Sequence, residues 1–438
     1  MTKSKSIYGL KGTYGPTTDL DKILNKEVVA KYLYTGAYAR PGSRHFLKGY
    51  QYQDIERFSI NRNLRPTLDD VLDAIRLNVK KILTKHNRIS LFMTSGLDSY
   101  LIYLVMKRET DNFKTHHDIS LVTGRFTSPY DEFSVLKDKS PDIEIHPYCD
   151  TIDTPDEALK YLKLAIRANN QPVNGLVAAA VFKAFSIADK LKSAAVLGTG
   201  ETIFFNSNFD FIKTVNSSEI RGYASDKTIL KSSDYLTEFG LQLANKGISE
   251  TTQNYVFDPI GDMEEFIHTQ QFWIDAPRVD FENSSYSRHL GVDALTPFRD
   301  ENLVNIFFNL PKEIQHDGRS KTVTRLLIEQ LDGREYEDGL KMTSPQREYL
   351  RLPYKDGGFS ELVEYFIEHS SLVELGIVDK AKFQNAYDSY VLAFDEAKRD
   401  GSFKELSSYN IWKFFITELW LNEQKGNDTT FDLLGVNT

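Results

Sequence analysis

Apolar positions along the chain follow two rhythms. In RPTLDDVLDAIRLNVKKIL, Leu68, Val71, Leu72, Ile75, Val79, Ile82 and Leu83 recur at helical spacing. Thr67 stands before them and Asp70 three residues later, so the pattern predicts an amphipathic helix with a capped N-terminus. Short apolar runs then alternate with helical ones: RISLFMT as strand, LDSYLIYLVMKRE as helix, DISLVTGRF as strand, SPYDEFSVLKDK as helix and DIEIHPYC as strand. Two further helical stretches lead to SAAVLGTG. Strand and helix in turn predict an α/β fold with a parallel sheet covered by helices on both faces. In such sheets ligands bind beyond the carboxyl ends of the strands, where two glycine-bearing turns, TSGLDS and GTGE, fall.

Past about residue 206 the rhythm becomes helical, in TVTRLLIEQL, FSELVEYFIEH and IWKFFITELWLNEQ, with loops between. Residues 1–62 are rich in Gly, Tyr and Arg and weakly periodic, and are expected to form strands and loops attached to something larger. The expected organisation is therefore an N-terminal extension over 1–62, a core over about 63–205 and a mostly helical portion over about 206–438.

Composition narrows the function classes. A chain of 438 residues, 41% hydrophobic, can bury at least one large core. Its formal net charge of −9 argues against broad binding to nucleic acid or an anionic membrane and favours small substrates. The single Cys149 forms no intrachain disulfide, and MTKSKSIYGLKG has no continuous apolar segment of a signal peptide, so a cytoplasmic location without a membrane span is expected. His116 and His117 have no metal-type spacing with another His or Cys.

Candidate chemistry concentrates in FMTSGLDS, which follows an apolar run and opens a helix. A strand-to-helix turn exposes backbone N–H groups where the helix dipole favours an anion. Thr94, Ser95 and Ser99 add hydroxyls, Gly96 permits close backbone approach and Asp98 is suited to a magnesium ion bridging phosphates. The same residue types are also ordinary helix starters, and spacing alone leaves both readings open. Neither the Walker spacing nor the dinucleotide G-x-G-x-x-G is present.

TSGLDS resembles the SGGxDS pyrophosphatase loop of enzymes that cleave ATP to AMP and pyrophosphate, with Ser95 where the first glycine usually stands. Later segments, in the same order, resemble the asparagine synthetase family and its relatives, the β-lactam synthetases and lasso-peptide cyclases. SPYDEF, with Asp131 and Glu132, is similar to the family's yDE; GVDALTPFRDENLVNIFFNLP to its GLExRxPFLDxxLVexalxLP; RSKTVTRLLIEQL, with Lys321 and Arg325, to its KxxLRxA helix. LKMTSP resembles the lysine-bearing segment that follows, and VAKYLYTGAYARPGSRHFLKGYQYQD the junction before the domain.

The resemblance implies a PP-loop type sheet and an AMP-forming ligase that adenylates a carboxylate and passes it to an amine. It implies that Thr94, Ser95, Gly96, Leu97, Asp98 and Ser99 cradle pyrophosphate, and that Leu121, Val122, Thr123, Leu197, Gly198 and Gly200 line the ATP site. Asp98 would bind magnesium, Lys341 would stabilise the transition state and Lys321 would be a second phosphate contact. Plain sheet packing is the competing reading for the strand-end residues, and a solvated lysine for Lys321 and Lys341.

Two departures qualify the resemblance. Relatives carry GEGxDE or GYGxD at the second glycine turn, where this chain has GTGET. Thr199 takes the position that helps deprotonate the amine, although a threonine hydroxyl is a poor general base at neutral pH. Thr202 falls at the metal-binding aspartate, and Glu201, one position early, is the expected metal ligand; a turn-capping role is its bland alternative. Glutamine-using relatives place a catalytic cysteine after the initiator methionine, where this chain has Thr2, so glutaminase activity is not expected and residues 1–62 are a candidate vestige of that domain. The amine is then expected as ammonia, from a separate glutaminase or as part of a larger acceptor, and a homo-oligomer is an alternative partner. A cyclase acting at the same adenylation site and an ATP-binding protein with reduced catalysis are the rival readings.

Overall fold

The structure, a computed structural model, describes residues 19–36, 43–52, 61–94, 96–113, 117–123, 144–147, 155–173, 175–199, 233–254, 276–315, 321–333, 359–400 and 409–426. Two N-terminal helices, α1 (Leu20–Ile23) and α2 (Lys26–Thr35), precede α3 (Leu68–Lys85). The alternating region follows as β1 (Arg88–Phe92), α4 (Leu97–Phe113), β2 (Asp118–Thr123), β3 (Ile145–Pro147), α5 (Pro155–Asn169), α6 (Gly175–Lys190) and β4 (Ala194–Leu197). Then come α7 (Glu238–Asn254), α8 (Ala276–Leu290), β5 (Ala294–Leu295), α9 (Glu301–Asn309), α10 (Lys312–Gln315) and α11 (Thr322–Asp332). Four helices end the series: α12 (Phe359–Glu368), α13 (Ser371–Glu374), α14 (Lys380–Asp400) and α15 (Tyr409–Lys425).

The strands pair in the order β3-β2-β1-β4-β5, all parallel. From β1 the chain moves outward to β2 and β3, then returns to the other side of β1 as β4. The crevice between β1 and β4 is therefore the topological switch point, the place where such sheets bind ligands. Phe92 lies opposite both Val122 and Leu197, so β1, β2 and β4 reach the same edge.

Each face of the sheet has its own core. Ile89, Leu91, Met93, Leu121 and Val196 pack with side chains of α3, α4, α9 and α11. Val122, Ala195 and Leu197 face the other way, into a core with α5, α6, α8 and α15, where Phe92 and Phe185 meet edge to face at 5.0 Å. The predicted start of α3 is present as a full capping box: the Asp70 amide donates to the Thr67 hydroxyl and the Thr67 amide to the Asp70 carboxylate. The predicted SPYDEF helix lies outside the described residues, as do Asp142, Ile143, Tyr148 and Cys149 of the DIEIHPYC strand.

The N-terminal reading needs correction. Within 1–62 the described residues form α1 and α2, and only isolated antiparallel bridges, Leu24 to Leu47 and Arg44 to Gln51, stand for the expected strands. This segment shares the second core: Phe46 packs edge to face on Trp420 at 5.5 Å and Tyr52 on Phe281 at 5.3 Å. Helix α2 lies so close to α7 that a Cβ on Gly247 would come within 2.6 Å of the Glu27 carbonyl oxygen. Lys246 also pairs with Glu27 across this contact at 2.9 Å.

Candidate active site

The turn from β1 to α4 is organised by its own side chains. The Ser99 hydroxyl accepts from the Thr94 amide at 3.0 Å, and the Thr94 hydroxyl accepts from the Gly96 amide at 3.1 Å. These bonds draw the loop back over the first turn of α4. The amides of Leu97, Asp98 and Ser99 open that helix, so no carbonyl four residues earlier belongs to it. Thr94, Gly96, Leu97, Asp98 and Ser99 thus form one cradle at the sheet's carboxyl edge.

Gly198, just past β4, closes the cradle's other side. A Cβ placed on it would lie 3.2 Å from the Ser99 amide nitrogen and 3.4 Å from its Cα. The two glycine-bearing turns, a hundred residues apart in sequence, therefore meet backbone to backbone at the β1/β4 crevice. Thr199 follows, and its carbonyl accepts a 2.7 Å hydrogen bond from the Thr296 hydroxyl, which also accepts from the Phe298 amide. Thr296 belongs to GVDALTPFRD, so that segment's role here is to tie the end of β5 to the second glycine turn. Asp300 in the same segment caps α9, accepting from the amides of Asn302 and Leu303 at 3.1 and 3.3 Å. Asp280 on α8 pairs with Arg299 at 2.9 Å; burial pushes the Asp280 carboxyl up, opposed by the Arg299 charge.

Lys321 reaches the cradle from α11. Its ammonium contacts both carboxylate oxygens of Asp98, with the two side chains only 12% and 21% exposed. Lys321 is the N-cap of α11 and has left-handed backbone angles, φ 58° and ψ 42°, an uncommon conformation for a residue with a Cβ. Helix α11 is fixed against α4, with Val323, Leu327 and Ile328 in the core that also holds Leu97, Leu101 and Val105. The pair therefore brings two helix N-termini together.

The predicted strand-end residues divide. Leu121 and Val122 are fully buried in opposite cores. The Leu121 amide donates to Glu144 and the Val122 carbonyl accepts from Met93, so these backbone groups are engaged within the sheet, and Thr123 ends β2. Leu197 is also buried. Ser95, Gly200, Glu201 and Lys341 lie outside the described residues, as do Asp131, Glu132, Thr202 and Cys149. Among the described residues no group of three or more His, Cys, Asp or Glu forms a metal cluster, which leaves Asp98 as the described half of the predicted pair.

The groups that do converge suit a magnesium–polyphosphate substrate. A carboxylate is the ligand type that a hard divalent cation takes. An ammonium, hydroxyls and helix amides are the donors that phosphate oxygens take. The bare Gly198 backbone lets the second glycine turn lie against the first turn of α4, where a side chain would not fit without a shift.

A search of curated proteins gives no match for the chain. A family profile described as asparagine synthase matches residues 70–422, well over half of the 438 residues. The match runs from the capping box of α3, through the β1–α4 cradle and Lys321, into α15, and on that extent the chain belongs to the asparagine synthase family.

Proposed function

We propose that this member of an ATP-dependent, amide-forming ligase family is AMP-forming: it adenylates a carboxylate, releases pyrophosphate and transfers the acyl group to an amine. The observation that carries the reading is the convergence of Asp98, Lys321 and the Gly198 backbone on the first turn of α4. Breaking the bond from the α-phosphorus to the α,β-bridging oxygen puts developing negative charge on that oxygen as pyrophosphate leaves. Donors fixed before the reaction stabilise that charge without reorganising during it. The amides that open α4 and the Thr94 and Ser99 hydroxyls would hold the phosphates, Lys321 would neutralise a phosphate oxygen and Asp98 would hold magnesium. Magnesium, when bound, supplies further positive charge to the departing oxygens. Lys341 and Glu201 are proposed as the lysine and second carboxylate of the same site, from their places in the sequence.

The amide-forming half rests on less. Thr199 is held through its carbonyl by Thr296, which would set the turn beside the acyl group, while the proton of the attacking amine would leave to another base or to water. The amine is proposed to come from outside the chain's own residues, as ammonia from a separate glutaminase or as the amino group of a larger acceptor. The carboxylate is a small molecule or a peptide.

The test is ATP–pyrophosphate exchange with a panel of carboxylates that includes aspartate. Carboxylate-dependent exchange, with AMP as the nucleotide product, is expected. ADP as the sole product would overturn the reading, and ATP binding without exchange for any acid would leave the chain as a nucleotide-binding partner.

A further inference from the structure

We infer that in the nucleotide-free chain the Lys321 ammonium occupies the position on Asp98 that a divalent cation takes, so that metal enters the cradle only together with nucleotide. The inference rests on the adenylation reading and assigns Lys321 a second role, as placeholder before it is a phosphate contact. Three features of the structure support it.

The ammonium touches both carboxylate oxygens in a largely enclosed setting, so a free cation must first displace a positive charge already there. The pair also sits where two helix N-termini meet, α4 behind Asp98 and α11 behind Lys321. A helix N-terminus favours an anion and disfavours a cation, so the carboxylate is well placed and the ammonium is not. Lys321 in addition holds a left-handed backbone at the N-cap, where its side chain makes no capping bond. Such conformations persist where the surroundings over-determine them and gather at switching sites. The contact to Asp98 compensates for both features.

A polyphosphate resolves the arrangement. Its oxygens give the ammonium and both helix N-termini an anion to face, which releases the Asp98 carboxylate for the metal that the phosphates carry. Free metal brings no such anion and meets only the charge of Lys321.

The test is binding of Mn²⁺, followed by water-proton relaxation, to the full chain with and without an α,β-methylene analogue of ATP. Wild type should bind Mn²⁺ alone weakly and at least tenfold more tightly with the analogue. Lys321→Asn removes the charge while tolerating a left-handed backbone. It should bind Mn²⁺ alone at least tenfold more tightly than wild type, yet bind the analogue more weakly. A unit charge removed at contact distance, with an effective dielectric of about 20, amounts to more than tenfold in affinity. Lys321→Arg should keep metal binding weak, and Lys321→Gly stands in if the asparagine variant does not fold. Adding Asp98→Asn should abolish the gain. Metal-alone affinity within twofold of wild type in both neutral variants would overturn the inference. If ADP is the only product while the Mn²⁺ result holds, the adenylation reading fails instead; AMP formation with metal binding indifferent to residue 321 fails the inference alone.

Discussion

Replacing Gly198 with alanine tests whether the crevice between β1 and β4 is the catalytic centre. The new Cβ would sit 3.2 Å from the Ser99 nitrogen, 3.4 Å from the Ser99 Cα and 3.5 Å from the Asp98 carbonyl carbon. All three are backbone atoms, so no side-chain rotation relieves the contact. The helix they belong to cannot easily retreat: Leu101, Val105 and Met106 of α4 are buried in the core with α3 and α11, and the Ser99 hydroxyl is engaged with Thr94. The expected result is a shift of a few tenths of an ångström in the first turn of α4 and a stability cost of about 1–3 kcal/mol. Function should suffer more. Asp98 is held to Lys321 through that same turn, and misplacing a catalytic group by about 1 Å costs on the order of 100-fold in rate. The assay is carboxylate-dependent pyrophosphate release beside thermal unfolding, with substrate saturating so that weakened binding and slowed chemistry separate. A Gly198→Ala chain that melts as wild type and turns over at the wild-type rate would refute the reasoning.

Two further predictions address the rest of the molecule. Glu418 on α15 accepts from the Ser370 hydroxyl at 2.6 Å and from the amides of Ser371 and Leu372 at 3.1 and 2.9 Å, yet burial pushes its carboxyl up from 4.5 to about 7. The folded chain then holds this proton more tightly than the unfolded one, so the contribution is complete below about 4.5 and is lost as pH rises through about 7, roughly 3 kcal/mol in all. Glu418→Gln stays neutral and should lose less stability between pH 5 and 8 than wild type; parallel pH slopes in urea unfolding would count against the assignment. Gly247→Ala should push α7 off α2, because its Cβ would come within 2.6 Å of the Glu27 carbonyl oxygen. It should destabilise by about 1–3 kcal/mol, and an unchanged melting temperature would mean that the N-terminal helices are not part of the core.

Local pattern revealed what local physics controls. The apolar stripe and the Thr67/Asp70 signature mark α3 because helix period and capping act within a few residues, and the three predicted strands have enough apolar length to stand out. Strand β5 is Ala294–Leu295, too short for any alternation. Helix α2 was hidden for a different reason: Val29, Ala30, Lys31, Tyr32, Leu33 and Thr35 are all buried, so it lacks the polar face that makes helical period visible. At the site, TSGLDS is legible as a strand-to-helix turn carrying hydroxyls because these features are contiguous. The approach of Gly198 to Ser99 and the tie from Thr296 to Thr199 depend on the sheet order, which no short window contains. The Asp98–Lys321 pair joins residues 223 apart. Sequence suggested a role for each residue through resemblance, but not that they would meet.

The central claim is that a carboxylate attacks the α-phosphorus of ATP at this crevice, and an oxygen label reads it directly. Amide formation should be run with the acid labelled with ¹⁸O in its carboxyl group, and the nucleotide product examined by mass spectrometry. Adenylation predicts AMP carrying one ¹⁸O, because the carboxylate oxygen that attacks phosphorus leaves with it when the amine displaces AMP. Unlabelled AMP, or labelled inorganic phosphate appearing with ADP, would contradict the account.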